Sequence, residues 1–348
     1  MPITFNANTV NVVIFNNTDL DKVTFNGNTV FEKETGSKFY FTLTSEELTL
    51  ELHAFQSSST ALTIDWGDGS AEESTNNIYL TLTHTYSNEG NYVVTFKCAS
   101  GETWSPGDVN GINSFAGFAN HNSYKLTSYS LDISVIVIPK NAFNREYGLT
   151  VIQIPNTVTT LGQNAFANCA NVTDVHLGNG ITTIDSNCFQ GDTKITKIYL
   201  DDISAYCAIP YVSNTTELFW LGGTATTAMK NVYLNNILQT TLIVPSTVQL
   251  VPTCRLSKLN CTNLEVRATE LGERCFATSK GVEKVWIHNT TTTINASATN
   301  YSPFLNCDNI TSIYCEVTEK PAGWSDYWNY KNSSTTIPVV WGQTTSPF

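Results

Sequence analysis

Apolar side chains return at fixed phases along the chain between residues 143 and 200. Three phenylalanines, Phe143, Phe166 and Phe189, follow one another at intervals of 23 residues. Aliphatic residues keep the same interval at three further phases, occupied by Leu149, Val172 and Ile195, by Ile152, Val175 and Ile198, and by Ile154, Leu177 and Leu200. Equal spacing of this kind predicts a stack of coils in which each coil covers the apolar edges of its neighbours.

Each coil contains an alternating segment such as Ile152-Gln153-Ile154. Such alternation predicts a short strand with two residues pointing inward and one outward. The pattern is poor over residues 201–242, where we expect an insertion or an irregular coil. It is recoverable from Val244 onward, is clear again at Phe276 and continues through Phe304 to Cys315.

The repeated unit, best preserved over residues 149–200, resembles the BspA-like leucine-rich repeats of bacterial surface antigens. The resemblance covers roughly residues 125–345 and implies a leucine-rich-repeat solenoid over residues 101–348. Residues 316–348 look like the closing segment of such an array. A solenoid end needs a cap, and this segment supplies three large side chains, those of Trp324, Trp328 and Trp341.

Residues 37–100 predict a β-sandwich, because short β-rich runs alternate there with turn residues. The segments Asp65–Ser70 and His84–Tyr92 resemble the paired motifs of PKD-type, immunoglobulin-like domains, which serve as spacers and adhesion modules. Asp65 and Asp68 allow two interpretations. They could bind Ca²⁺ as carboxylates on a tight loop, or they could accept hydrogen bonds from turn N–H groups, and we favour the second.

Residues 1–36 contain a shorter repeat, in which Val13-Ile-Phe-Asn-Asn17 recurs ten residues later as Val23-Thr-Phe-Asn-Gly27. Asn-Asn and Asn-Gly after apolar runs predict two small hairpins. Hairpins of this size are unstable alone, so we expect them to dock on something. The segment resembles the N-terminal arms of phage structural proteins; the alternative is a plain β-extension packed on the sandwich.

The outward position of each solenoid strand is the predicted binding surface. It is expected to face the concave side, to be exposed and to carry flat aromatic rings that suit a sugar face or a protein hot spot. Strand faces also favour aromatics for their own packing, which is the structural alternative. The candidate binding residues are Gln153, His176, Tyr199, Tyr233, Trp286 and Tyr314.

Composition supports a mostly β chain, because only 14% of residues are charged and the polar remainder is largely Thr, Asn and Ser. The net charge of -12 makes nucleic acid and anionic membrane surfaces poor partners. No apolar stretch is long enough to predict membrane insertion. The nine cysteines are odd in number and scattered, which favours buried free thiols over a disulfide framework.

No catalytic motif is recognisable. The five histidines lack metal-site spacing, and the sequence contains no nucleophile elbow, P-loop or dinucleotide fingerprint. Cys169 and Cys307 occupy the same repeat position, which is typical of a core residue and not of a nucleophile. We therefore expect a non-enzymatic protein without a cofactor or metal.

The predicted domains are of extracellular type, yet the sequence after Met1 has no recognisable export signal. A bacteriophage virion protein, a tail or head fibre or decoration, resolves this conflict. Residues 1–36 would bind other virion proteins, the solenoid at the virion surface would bind a host glycan or protein, and self-association stays open. The alternative is a bacterial cell-surface or secreted BspA-like adhesin with a signal peptide upstream of Met1.

Overall fold

The computed structural model describes residues 36–46, 48–56, 62–107, 114–116, 124–210 and 229–348, together with the backbone of four strands before residue 33. Residues 1–35 and residues 36–348 form two compact units. Within the described part of the chain, no helix has the length and apolarity needed to cross a membrane.

The first unit contains two antiparallel strand pairs. They are formed by β1 (Ile3–Phe5) with β2 (Asn8–Val10), and by β3 (Lys22–Phe25) with β4 (Asn28–Glu32). The second pair lies where the second hairpin is predicted. The predicted first hairpin, over residues 13–20, falls outside the described residues.

The second unit begins with two antiparallel sheets. Their strands are β5 (Ser37–Leu43), β6 (Thr49–Gln56), β7 (Leu62–Asp65), β8 (Glu73–Thr75), β9 (Tyr79–Thr85), β10 (Gly90–Lys97), β11 (Trp104–Pro106) and β12 (Tyr124–Ser130). One sheet has the order β12-β5-β10-β7-β8 and the other β11-β6-β9. Alternate residues of β5, including Phe39 and Phe41, are buried. We call the region of these two sheets the sandwich for short; that it is a PKD-type, immunoglobulin-like sandwich remains a prediction.

The rest of the second unit is a stack of coils with short strands. They are β13 (Val137–Ile138), β14 (Val151–Ile154), β15 (Thr160–Leu161), β16 (Asp174–Leu177), β17 (Thr183–Ile184), β18 (Lys197–Leu200), β19 (Asn231–Leu234), β20 (Ile237–Leu238), β21 (Thr241–Val244), β22 (Leu250–Val251), β23 (Asn263–Val266), β24 (Glu270–Leu271), β25 (Lys284–Ile287), β26 (Thr293–Ile294), β27 (Ser312–Cys315) and β28 (Val339–Trp341).

These strands fall into two sets of sheets, in which strands from successive coils pair in parallel. The longer strands make the sheets β14-β16-β18-β19-β20 and β21-β23-β25-β27-β28, and the two-residue strands make β13-β15-β17 and β22-β24-β26. Pairing follows the predicted period, since Ile152 pairs with Val175 and Val175 with Ile198. Among the strands described between residues 137 and 341, β19 and β20 are the one antiparallel pair. The predicted leucine-rich-repeat-type solenoid is confirmed.

A column of buried phenylalanine rings runs through the coils. The ring centroids of Phe143 and Phe166 are 5.2 Å apart, and those of Phe166 and Phe189 are 5.9 Å apart. The column continues toward the sandwich, where Phe115 lies 6.0 Å from Phe143 and 4.2 Å from Phe39. The aromatic core predicted from the 23-residue spacing is therefore confirmed, and it also joins the sandwich core.

The turn before each ring needs a left-handed backbone. Asn141, Asn164 and Asn187 occupy one repeat position with φ of 59°, 56° and 60°. Asparagine tolerates this region better than other residues with a side chain, because its short amide can hydrogen-bond locally. The repeated Asn therefore has a backbone role.

The irregularity expected over residues 201–242 is present. A short helix, α1 (Ile203–Ala208), begins at Asp202, whose carboxylate accepts a hydrogen bond from Ser204 N at 2.7 Å. Residues 211–228 lie outside the described part. The β19–β20 hairpin follows, and its turn residues Asn235 and Asn236 both have positive φ, as a tight two-residue turn requires.

The far end of the solenoid is closed by three tryptophans. Trp324 and Trp328 are buried, with ring centroids 4.8 Å apart, and Trp341 lies 6.1 Å from each. The indole N–H of Trp324 donates to Thr291 O at 3.0 Å. These contacts fit the cap expected from the sequence.

The residue three positions after each repeated phenylalanine of the coils is buried, and in most coils it is polar. The thiols of Cys169 and Cys307 donate there to main-chain carbonyls one coil away, at 3.1 and 3.2 Å. Glu146 and Asp192 occupy the same position, and burial raises the pKa of each carboxyl to about 8. A buried carboxyl is more stable in its neutral form.

We predict that Asp192 makes the folded state less stable as pH rises. Burial raises the pKa of Asp192 to about 8 in the folded state, well above the ordinary value of an aspartate. The folded state therefore binds more protons than the unfolded state between about pH 4 and 8, and the free energy of unfolding falls across that range. Asp192→Asn should remove the Asp192 contribution to this slope, leaving that of Glu146, and stabilise the protein near neutrality by on the order of 3 kcal/mol.

Urea unfolding at several pH values measures the effect. Asp308→Asn is the matched control, because the Asp308 side chain is 59% exposed, and its slope should equal that of the wild type. An Asp192→Asn variant with an unchanged slope would contradict a neutral buried carboxyl.

Candidate functional site

The first four candidate residues lie in one column across neighbouring strands. Gln153 pairs with His176, His176 with Tyr199, and Tyr199 with Tyr233. We call this set the first outward column. All four side chains point away from the core and are exposed or half-buried. The placement of Tyr233 next to Tyr199, predicted across the irregular region, is confirmed.

The rings of this column are stacked face to face. The His176 and Tyr199 centroids are 3.9 Å apart with planes 3° from parallel, and Tyr199 and Tyr233 follow at 4.4 Å and 19°. Each ring therefore covers the face of the next. The expectation that flat ring faces are presented to a sugar is wrong for these pairs: ring edges, tyrosine hydroxyls and imidazole nitrogens face outward instead.

An ion pair lies beside the stack. Lys197 Nζ is 3.0 Å from Asp174 Oδ1, and the Tyr199 hydroxyl is 3.5 Å from the same oxygen. Burial favours a higher pKa for Asp174, but hydrogen bonds from Thr173 and Lys197 outweigh it and hold the pKa below its ordinary value. Burial also lowers the pKa of His176, so its imidazole is neutral at pH 7. The first outward column is thus neutral, and the ion pair beside it carries no net charge.

A shallow depression lies beside the first outward column. Its volume is about 620 Å³ including the open side. Amide and carboxylate groups that the sequence analysis did not select complete its wall. The depression is lined by Gln153, Ile154, Pro155, Asn156, His176, Leu177, Gly178, Tyr199, Leu200, Asp201 and Asn236.

The other two candidate residues belong to a separate sheet. Trp286 pairs with Tyr314, and the second outward column consists of Ile243, Glu265, Trp286, Tyr314 and Val340. The structure therefore divides what the sequence predicts as one column. The expected exposure of Trp286 is wrong as well, because only 7% of its surface is exposed.

A charged cluster lies next to Trp286. His288 Nε2 is 2.9 Å from Glu265 Oε1, and His288 Nδ1 is 2.9 Å from Glu316 Oε1. The imidazole therefore bridges the two carboxylates. Arg267 also binds Glu265, while the imidazole lies 4.0 Å from the Trp286 ring. The repeat pattern gave no sign of this cluster, because Glu265 points outward from β23 and the other three residues follow the ends of their strands, so none occupies a repeated apolar position.

The two aspartates of the sandwich act as turn residues in this structure. Asp65 accepts a hydrogen bond from Gly67 N at 2.9 Å and Asp68 accepts one from Ser70 N at 3.0 Å. Hydrogen bonds from Ser70 and His84 hold the pKa of Asp68 well below its usual range. His84 Nε2 lies 2.8 Å from Asp68. The carboxylate oxygens that would bind Ca²⁺ are already paired with protein groups, which supports the turn interpretation over Ca²⁺ binding.

The cysteines are packed as core residues. Eight of the nine cysteines are buried, and Cys98 is half-buried. Burial raises the pKa of Cys169, Cys275 and Cys307 above the ordinary value. A buried protonated thiol is a poor nucleophile.

Comparison with known proteins shows that the repeats match one known repeat family. The BspA type leucine rich repeat region matches in six copies over residues 112–209 and 226–335, more than half of the chain. No curated protein matches it significantly.

Three solved structures are similar to the solenoid region. A leucine-rich repeat protein from Bacteroides ovatus is 18% identical, with a TM-score of 0.34, covering 59% of this chain and 56% of its own. One from Eubacterium ventriosum is 18% identical, with a TM-score of 0.28, covering 55% and 60%. A leucine rich cell surface protein from Faecalibacterium prausnitzii is 14% identical, with a TM-score of 0.28, covering 62% and 65%. The chain thus spans less than two thirds of each.

We predict that the central ring of the stack contributes to stability. Tyr199→Ala removes both ring contacts, each worth about 0.5–1.5 kcal/mol, so the free energy of unfolding should fall by roughly 1–3 kcal/mol. Gln153→Ala, at the exposed end of the same column, should change it by less than about 0.5 kcal/mol. Equal effects of the two substitutions in urea unfolding would show that the stack is not a stabilising element.

Proposed function

Because the chain belongs to the BspA type leucine-rich repeat family, we propose that it is a surface-exposed or secreted adhesin that binds its partner without chemical turnover. This is the alternative raised by the sequence. The family match favours it, and one of the similar solved proteins is described as a cell surface protein. No comparison supports the virion interpretation.

The first outward column is the observation that carries this proposal. Its side chains are fixed by strand pairing on one side and by ring stacking along the column. A surface that is ordered before binding loses little side-chain entropy when the partner arrives. The column also stays accessible, and the polar depression beside it gives a ligand a place to enter.

The chemistry of the column favours a hydrogen-bonding ligand. Tyr199 and Tyr233 present hydroxyl groups, neutral His176 presents one donor and one acceptor, and Gln153 adds an amide. Sugar hydroxyls and polypeptide main chains both match this set. Because the ring faces are covered, stacking against a sugar ring is a minor contribution in this proposal.

A binding role is also supported by the state of the reactive groups. The thiols are buried, with their pKa values raised. The carboxylate of Asp202 caps α1. Among the described residues, no group of three or more His, Cys, Asp or Glu side chains is placed to hold a metal ion.

We predict that Tyr199→Phe combined with Tyr233→Phe weakens adhesion while leaving the stack intact. Losing two hydrogen bonds of about 1 kcal/mol each corresponds to a loss of affinity of roughly tenfold or more. The assay measures binding of labelled protein to epithelial monolayers and to mucin, before and after glycosidase or protease treatment, which separates glycan from protein ligands.

Tyr79→Phe is the matched control, since Tyr79 lies on the sandwich and is 65% exposed. It should bind like the wild type, and all variants should keep the wild-type melting temperature. Unchanged binding by the double variant would remove the first outward column from consideration. Detection of the protein in purified phage particles by mass spectrometry would instead restore the virion interpretation.

A further inference from the structure

Two residues of the second outward column are buried although they point away from the core. Glu265 is 6% exposed and Trp286 is 7% exposed, whereas Gln153 and Ile243 at equivalent outward positions are exposed. Strands β23 and β25 consequently lack the buried-exposed alternation seen in β14 and β21. Arg267 and His288 lie against Glu265, so a covering segment is required only at Trp286.

The covering segment at Trp286 is the end of the chain, residues 344–348, which we call the strap. Lys284 Nζ donates to Pro347 O at 3.2 Å, and the Phe348 ring meets the Trp286 ring edge-on at 6.4 Å. Other hydrogen bonds of the strap are local, such as Ser346 Oγ to Phe348 O and Gln343 Nε2 to Thr345 O, each 2.7 Å. Few contacts hold the strap to the sheet, and Phe348 is itself 37% exposed.

The strap offers no acceptor to one buried hydrogen-bond donor. The indole N–H of Trp286 has no hydrogen-bond partner among the described residues. A buried donor without an acceptor is unfavourable, so an occupant that supplies an acceptor binds better than the strap does. The charged cluster of Glu265, Arg267, His288 and Glu316 forms the polar border of this site.

We propose that the second outward column is a peptide-binding surface centred on Trp286 and that the strap is its internal, displaceable ligand. The strap shows what the surface accepts: an extended segment with an aromatic side chain for Trp286 and a main-chain carbonyl for Lys284. An external polypeptide of this kind that also offers an acceptor to the indole N–H replaces the strap. The biological use of this surface rests on the adhesin function proposed above.

The test uses ¹⁹F NMR of the full chain labelled with 5-fluorotryptophan. The chain has seven tryptophans, and Trp286→Phe identifies the Trp286 signal by its disappearance. Deletion of residues 344–348 should shift this signal and give it a solvent isotope effect, while the signals of Trp66 and Trp324 stay in place. Phe348→Ala, which keeps the chain length, should move it in the same direction.

The deleted segment is then supplied as a separate peptide. Acetylated Thr-Thr-Ser-Pro-Phe, residues 344–348, should return the Trp286 signal of the truncated protein to its wild-type position in a saturable manner, and a scrambled peptide should not. Binding to the full chain should be at least tenfold weaker, because the tethered strap competes at high effective concentration.

Three results would overturn the proposal. An unchanged Trp286 signal after both deletion and Phe348→Ala would show that the strap covers nothing. A shifted signal that the peptide cannot reverse would show that the surface does not bind peptides. A Trp286 signal in the wild type that changes on dilution would assign the occupying segment to a second copy. None of these measurements uses a host ligand. The proposal about the strap and the proposed adhesin function can therefore be rejected independently of each other.

Discussion

Parallel pairing between residues one repeat apart is the interaction on which the rest of this chain depends. Thr173 N donates to Thr150 O and Thr196 N to Thr173 O, each at 2.9 Å. A single coil leaves these main-chain groups and its apolar edges open, and only the next coil can satisfy both. The side chains of one phase are therefore held in register, which gives the buried phenylalanine column and the first outward column from the same cause.

This register also limits what an outward side chain can present. Parallel strands lie about 4.8 Å apart, which is close to the stacking distance of aromatic rings, so rings placed at one outward phase stack on one another. His176, Tyr199 and Tyr233 do so, and their faces are used within the protein. A ligand would therefore contact the edges of these rings and their polar atoms.

The features that the sequence predicts are those that repeat. The phenylalanine spacing and the strand pairing from Ile152 to Ile198 follow from equal coil lengths, whereas Tyr233, 34 residues after Tyr199, is recognised by its apolar neighbours Val232 and Leu234. The burial of Trp286 could not be predicted, because residues 344–348 cover it through contacts that have no period. Likewise, Glu146 and Asp192 share the position of Cys169, but the repeat indicates only that the site is buried, not which protonation state each acid adopts there.

The phenylalanine column has a final consequence for how this protein can change during evolution. Phe115 lies between Phe39 of the sandwich and Phe143 of the first repeats, so the two regions share one aromatic core. Recombination that exchanged either region alone would leave half of that core facing water. The two regions should consequently be inherited together, whereas duplication or loss of whole coils further along needs no such matched partner.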